Sequence, residues 1–237
     1  MPHFDWDKED MRYHLIFFPW IGGVIGGLCF GCFKLFKLIE LPLLLKIAVL
    51  SLIPLIITGG FHLDGFLDVN DALSSYGSKD KKLDILKDPH VGGFAMISLL
   101  IYSIFWGGAM SYMLEHISDG TAAAYCLCFA TSRAVSGISA IAFKKAKPDG
   151  MLNKETEGAG ITCAVLLAFE AILCMAFMLW ADLKAGFAVL AVSIPFLIYY
   201  RHKMYKQFEG VSGDTAGYFV TMCELLCVIA LAVRSAF

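Results

Sequence analysis

The stretch Ile161-Thr162-Cys163-Ala164-Val165-Leu166-Leu167-Ala168-Phe169-Glu170-Ala171-Ile172-Leu173-Cys174-Met175-Ala176-Phe177-Met178-Leu179-Trp180-Ala181 contains one charged residue, Glu170. A bilayer core about 30 Å thick is crossed by roughly 20 helical residues, so this segment reads as a membrane-spanning helix. Windows of the same kind recur in both directions, near 14–36, 41–60, 94–115, 120–143, 183–200 and 216–236. Composition agrees: of 237 residues 58% are hydrophobic and 17% charged, with a mean hydropathy of +0.69, against about 45–50% and 25% in soluble domains. No long hydrophilic stretch separates the windows. The expected fold is an all-α polytopic membrane bundle of about seven spans, one membrane domain over 1–237. Windows five and six are joined only around Asp182, which predicts a tight helical hairpin or a partly re-entrant segment.

Charge sets the orientation. The even-numbered connections carry Lys79, Lys81, Lys82 and Lys87, then Lys144, Lys145, Lys147 and Lys154, then Arg201, Lys203 and Lys206; the odd ones hold Lys34, Lys37 and Lys184. The positive-inside rule places the even connections and the N-terminus in the cytoplasm, so a cytoplasmic-side active site is expected. A net charge of −2 excludes the basic surface of a nucleic-acid binder. Eight cysteines lie inside apolar windows, where a thiol packs as a small hydrophobe. Cys29 and Cys32 have CxxC spacing without the second pair that zinc requires. The first window follows an acidic start (Asp5, Asp7, Glu9, Asp10) and has no small-residue cleavage site, so it is expected to remain as a helix.

One segment departs from this apolar pattern: Gly59-Gly60-Phe61-His62-Leu63-Asp64-Gly65-Phe66-Leu67-Asp68-Val69-Asn70-Asp71. Asp64, Asp68 and Asp71 stand at i, i+4, i+7 and share one stripe of a helix. Like charges at this spacing repel, and desolvation at the end of a span raises the cost. A hard divalent cation relieves both; Mg²⁺ fits, because it binds through one or two carboxylates plus substrate phosphates. The alternative is a solvated helix end paired with Lys79, Lys81 or Lys82. Gly59-Gly60, His62 and Asn70 at the same depth favour a site.

Further polar groups belong to the same side. Lys87-Asp88-Pro89-His90-Val91-Gly92-Gly93 joins a cation, a carboxylate and a turn that can lie against a diphosphate. Arg133 falls mid-span, where an unpaired guanidinium costs several kcal/mol, so it is expected to meet a carboxylate or a phosphate; Glu224 invites the same pairing. Lys147-Pro148-Asp149-Gly150 and Gly210-Val211-Ser212-Gly213-Asp214 complete the set. Glu170 has no neighbouring motif and suits a structural role, and Lys46 can snorkel from a helix end.

These segments, in this order, resemble the cobalamin synthase family, the adenosylcobinamide-GDP ribazoletransferases. The likeness runs from Phe18-Pro19-Trp20-Ile21-Gly22 through Thr58–Asp68 with Asp71, Ile85–Gly92, Ser132-Arg133, Pro148-Asp149-Gly150 and Gly210–Asp214 to Glu224. It implies an inner-membrane, Mg²⁺-dependent transferase of substituted phosphate groups in cobalamin biosynthesis. Such an enzyme joins adenosylcobinamide-GDP to α-ribazole or its 5′-phosphate and releases GMP. His90 and Lys147 stand where the family leads one to expect arginine, and neither reproduces the guanidinium fork. With the residue reading, Asp64, Asp68 and Asp71 are expected to hold metal. His62, Lys87, His90, Arg133 and Lys147 are expected to meet substrate, and Asp88, Asp214 or Glu224 to take the hydroxyl proton. A CDP-alcohol phosphotransferase is the nearest rival, but its Ala-Arg after the first Asp-Gly is replaced here by Phe66-Leu67. A transporter is the rival of another class. The oligomeric state stays open.

Overall fold

The computed structural model describes residues 13–146 and 150–235. After a 3₁₀ turn at His14–Phe17 come α1 (Phe18–Phe36), α2 (Leu43–Thr58), α3 (Phe61–Ser74), α4 (Lys79–Ile85) and α5 (Gly93–Glu115). There follow α6 (Asp119–Ala142), α7 (Met151–Thr156), α8 (Ile161–Ala181), α9 (Leu183–Phe208) and α10 (Gly213–Arg234). Among the described residues six helices, α1 with its 3₁₀ turn, α5, α6, α8, α9 and α10, have the length and apolarity to cross a membrane, and the bent pair α2/α3 makes a seventh crossing if counted as one broken span. The polytopic all-α bundle expected from the apolar windows is therefore what forms.

Helices α6 and α10 pack on each other at the centre; α1 and α8 cover α6, while α3, α5 and α9 cover α10. Close approach explains two of these contacts. Gly22 and Gly26 lie one turn apart on α1, and a Cβ on either would overlap the α6 backbone at Phe129 or Cys126, the small-xxx-small contact that lets membrane helices touch backbone to backbone. Gly65 of α3 meets Gly217 of α10 in the same way, with an added Cβ on Gly65 only 2.7 Å from the Asp214 carbonyl oxygen. The outward faces of α1, α5, α8 and α9 expose Val24, Ile104, Phe169 and Ile198, apolar surface suited to lipid. All eight cysteines are free, as packing predicts.

Two expectations are corrected. The second window does not carry the acidic residues on its own end: α2 stops at Thr58 and α3 starts anew at 91° to it. Gly59 (φ 61°) and Gly60 (φ 78°) are consecutive left-handed residues, a conformation costly for residues with a Cβ. The sixth window does not stop at 200 but continues to Phe208, because its basic last turns stay helical. The hairpin reading of windows five and six holds: both α8 and α9 are full-length, and Asp182 caps α9 by accepting from Ala185 N at 3.0 Å.

The start of α1, the ends of α2 and α6 and the start of α10 all border one cavity, so they share one end of the bundle. At the opposite end Lys37 bonds Asp119 at 2.5 Å and Arg234 bonds Asp182 at 2.5 Å. Alternation of this kind brings the three lysine-rich connections together: Lys79 reaches Glu209 at 3.1 Å, Lys82 reaches Gln207 at 2.6 Å, and Lys145 forms a bridge with Val211.

Candidate active site

Helix α3 divides its faces. Gly65, Phe66, Val69 and Ala72 are buried, with the Phe66 ring stacked on Tyr218 at 6.0 Å and tilted on Tyr102 at 5.4 Å. Asp64 is exposed, and Asp68 and Asp71 are half-buried, so the acidic stripe flanks the packed one as the spacing predicts. The close crossing at Gly65 and Gly217 sets Asp214 beside this stripe, and Asp64, Asp214 and Asp71 all act electrostatically on Asp68. Asp71 lies against Gly92, the N-cap of α5. Two helix N-termini, of α5 and α10, thus approach the carboxylates, and their partial positive charge offsets some of the repulsion.

Among the described residues no three acids, histidines or cysteines converge tightly enough to enclose a metal by themselves. The donors are all carboxylate oxygens arrayed along one side. That set suits a hard cation which takes the rest of its shell from phosphate oxygens and water, and does not suit a closed structural site.

Beside the stripe opens a cavity of about 730 Å³, within the range of roughly 300–1,000 Å³ that holds one drug-sized ligand. Leu15, Phe18, Ile57, Leu86 and Val211 make much of its wall; His62, Lys87 and Asp214, all expected site residues, also line it. The His62 ring lies 5.5 Å from that of Phe18, and its buried Nδ1 has no hydrogen-bond partner among the described residues. Its carbonyl accepts from Thr221 Oγ1 at 3.0 Å, another tie from α3 to α10. Ser212 Oγ donates to Asp214 Oδ2 at 3.4 Å.

The other expected residues sit elsewhere. Asp88 and His90 form an exposed turn off the cavity lining: Asp88 Oδ1 accepts from His90 N at 3.0 Å and lies 2.7 Å from His90 Nδ1. These bonds hold the Asp88 carboxyl below the usual carboxylate range. Arg133 and Glu224 are buried between the two central helices, Nη1 to Oε1 2.6 Å, with Ser132 Oγ donating to the same oxygen at 3.0 Å. The mid-span guanidinium has found the carboxylate the sequence invited. Lys147 lies outside the described residues. Glu170 is also paired, accepting from Trp20 Nε1 at 3.0 Å.

Sequence reasoning passed over Lys145, Asn153 and Glu155, which line the cavity from the connection between α6 and α8. Lys145 counted only toward orientation, and no spacing marks Glu155. Burial pulls the Lys145 ammonium below the ordinary lysine value, and its Nζ donates to the carbonyls of Ala140 and Phe143. Burial pushes the Glu155 carboxyl up, opposed by the charge of His14.

An apolar cavity at one end of a polytopic bundle, lined by Asp214, Glu155, Lys87 and Lys145 and with the α3 carboxylates next to Asp214, defines a membrane protein equipped to handle a charged group on an otherwise apolar ligand. A family model described as cobalamin-5-phosphate synthase matches residues 1–232. The chain belongs to that family. Over 236 residues it is 36% identical to an adenosylcobinamide-GDP ribazoletransferase of Lachnoclostridium phytofermentans, covering 98% of this chain and 88% of the relative. It is 33% identical to the protein of that name from Clostridium botulinum strain Alaska E43, covering 95% and 89%. The corresponding Pseudomonas syringae protein is 32% identical, covering 94% and 89%. No solved structure matches the chain.

Proposed function

We propose that this chain joins adenosylcobinamide-GDP to α-ribazole or α-ribazole 5′-phosphate and releases GMP, at the cytoplasmic face of the inner membrane. Family membership supports the transfer itself. The observation that carries the site assignment is the crossing of Gly65 and Gly217, which sets Asp214 beside Asp64, Asp68 and Asp71 at the edge of the cavity. The lysine-rich connections at that end support the cytoplasmic orientation.

In this proposal the acceptor's ribose hydroxyl attacks the cobinamide-side phosphorus, and GMP leaves. Asp64, Asp68 and Asp71 would hold Mg²⁺, which when bound supplies positive charge to the diphosphate and to the leaving oxygen. The residues of the chain do the rest. Lys87 puts an ammonium at the cavity wall, where it can neutralise phosphate oxygens. His62 presents an imidazole with an open nitrogen at the same wall, fixed by Phe18 and by the Thr221 bond to its carbonyl. His90 adds an imidazole on the solvent side, and Lys147, which lies outside the described residues, is proposed to add an ammonium for the same phosphates. Arg133 and Glu224 act as a brace that fixes α6 against α10, and so fixes Asp214 relative to α3. The apolar wall receives the aromatic base of the acceptor and excludes water, which strengthens each charge contact.

The test is mass spectrometry of the products formed by the purified chain from adenosylcobinamide-GDP and α-ribazole 5′-phosphate, with and without Mg²⁺. Joined corrinoid and GMP in equal amounts, dependent on Mg²⁺, are expected. Absence of both products under all metal conditions would overturn the reading.

A further inference from the structure

The transfer requires a group that accepts the ribose hydroxyl proton, and a base must lie within hydrogen-bond reach of that proton or one water away. Two of the three acids expected from sequence are poorly placed for it. Asp88 is off the cavity and already accepts two bonds from His90. Glu224 is buried, bonded to Arg133 and Ser132, and does not line the cavity. Asp214 does line it, but beside the α3 stripe, where the diphosphate is proposed to lie and where a carboxylate is better used on metal than on a hydroxyl.

A second carboxylate enters the cavity from a different element. Glu155, on α7, lines it together with Leu152 and Asn153 and lies near His14 in the turn before α1. It is half-buried and stands apart from the like charges of α3. We infer that Glu155 is the general base of the transfer, taking the ribose hydroxyl proton of an aromatic nucleoside seated against the apolar wall. The assignment rests on the transferase reading above. The balance is simple. The acceptor's O–H bond breaks and its proton passes to the Glu155 carboxylate, while the oxygen bonds to the cobinamide-side phosphorus. The bond from the cobinamide-side phosphorus to the bridging oxygen breaks with its electron pair on that oxygen, which departs as a phosphate oxygen of GMP, and Glu155 then returns the proton to water. Burial favours the role, since a carboxyl shifted toward neutrality is a stronger base once ionised.

The experiment is single-turnover GMP release by the full chain in phospholipid nanodiscs, followed across pH for wild type, Glu155→Gln and Glu155→Asp. Glu155→Gln is expected to slow release by roughly 10²-fold or more, leave the affinity for adenosylcobinamide-GDP unchanged, and lose the part of the acid-side fall in rate that Glu155 contributes, leaving only the part due to the α3 carboxylates and Asp214. Glu155→Asp is expected to keep that acid limb at a reduced rate. His14, His62, Lys87, Lys145 and Asp214 share the cavity and are common to all three proteins, so the difference between profiles isolates position 155. A Glu155→Gln rate within about threefold of wild type, or an acid limb identical in wild type and Glu155→Gln, overturns the assignment and leaves the transferase reading standing. A wild-type chain that binds both substrates and releases no GMP overturns the transferase reading, and this inference with it.

Discussion

The two ends of the bundle treat charge in opposite ways. At the end opposite the cavity the links are short, and acids meet bases: Lys37 bonds Asp119 at 2.5 Å, while Arg234 bonds Asp182 at 2.5 Å and Thr121 at 3.0 Å. Lys34 and Lys46 there lie over the rings of Phe30 and Phe36. The cavity in that region is only about 200 Å³. At the other end the connections are long, a span is broken by two left-handed glycines, and four carboxylates are gathered with like beside like. One end is arranged for stability. The other keeps electrostatic repulsion that a bound cation and diphosphate would relieve, which is how a site departs from the rules its scaffold obeys.

This contrast is tested most severely at the acidic stripe. Asp68→Asn is expected to lower GMP release on the order of 10²-fold or more, as loss of a group that stabilises transition-state charge does, while thermal stability holds or rises because a repulsive charge is gone. A fully active, less stable Asp68→Asn protein in a turnover and thermal-unfolding assay would make the cavity end structural like its opposite. Gly65→Ala comes next. Its Cβ would press on the Asp214 backbone, and overpacking costs about 1–3 kcal/mol. Separation of α3 from α10 should reduce activity about tenfold as well, the size of effect that small misplacement produces. Thermal unfolding and GMP release measured on one preparation give both numbers.

Much of this was legible in the sequence, for definite reasons. Apolar length gave the spans, because the bilayer imposes it. Helical periodicity gave the shared face of Asp64, Asp68 and Asp71. The need of a mid-span guanidinium for a partner led to Arg133 and Glu224, but it did not decide between a carboxylate and a phosphate; the 2.6 Å contact does. The break between α2 and α3 is signalled by Gly59-Gly60, although in the sequence the pair marks only a site and not the turn of the chain that it makes. Glu155 could not be found by spacing, because it reaches the cavity only through the packing of α7 near the start of α1. Asp88 shows the reverse case: a suggestive motif whose members bond to each other in an exposed turn.

At the stabilising end, Asp182→Ala removes both the cap on α9 and the partner of Arg234. A bond to a charged group contributes about 1.5–3 kcal/mol, so a loss of roughly 2 kcal/mol in thermal or denaturant unfolding is expected, with turnover per folded molecule unchanged. A loss of activity equal to that of Asp68→Asn would show that the ends are coupled, and would collapse the distinction between them.

The smallest effect lies where the cavity end borrows the stabilising strategy. Lys79 bonds Glu209 at 3.1 Å, tying the segment after α3 to the start of the α9–α10 link, and both side chains are exposed. The bond from Lys79, with its charge and that of Lys144, holds the Glu209 carboxyl below the usual range. A carboxyl lowered on folding contributes stability that is complete above its unfolded pKa and is lost as pH falls through the lowered, folded value. Glu209→Gln should therefore leave unfolding at the acid extreme unchanged and reduce stability slightly at neutral pH, flattening the acid limb of the stability profile. Salt should shrink the difference, because an exposed pair is screened. A wild-type profile equally steep in the variant would mean that acid sensitivity at this end comes from other carboxylates, with the α3 stripe next to be tested.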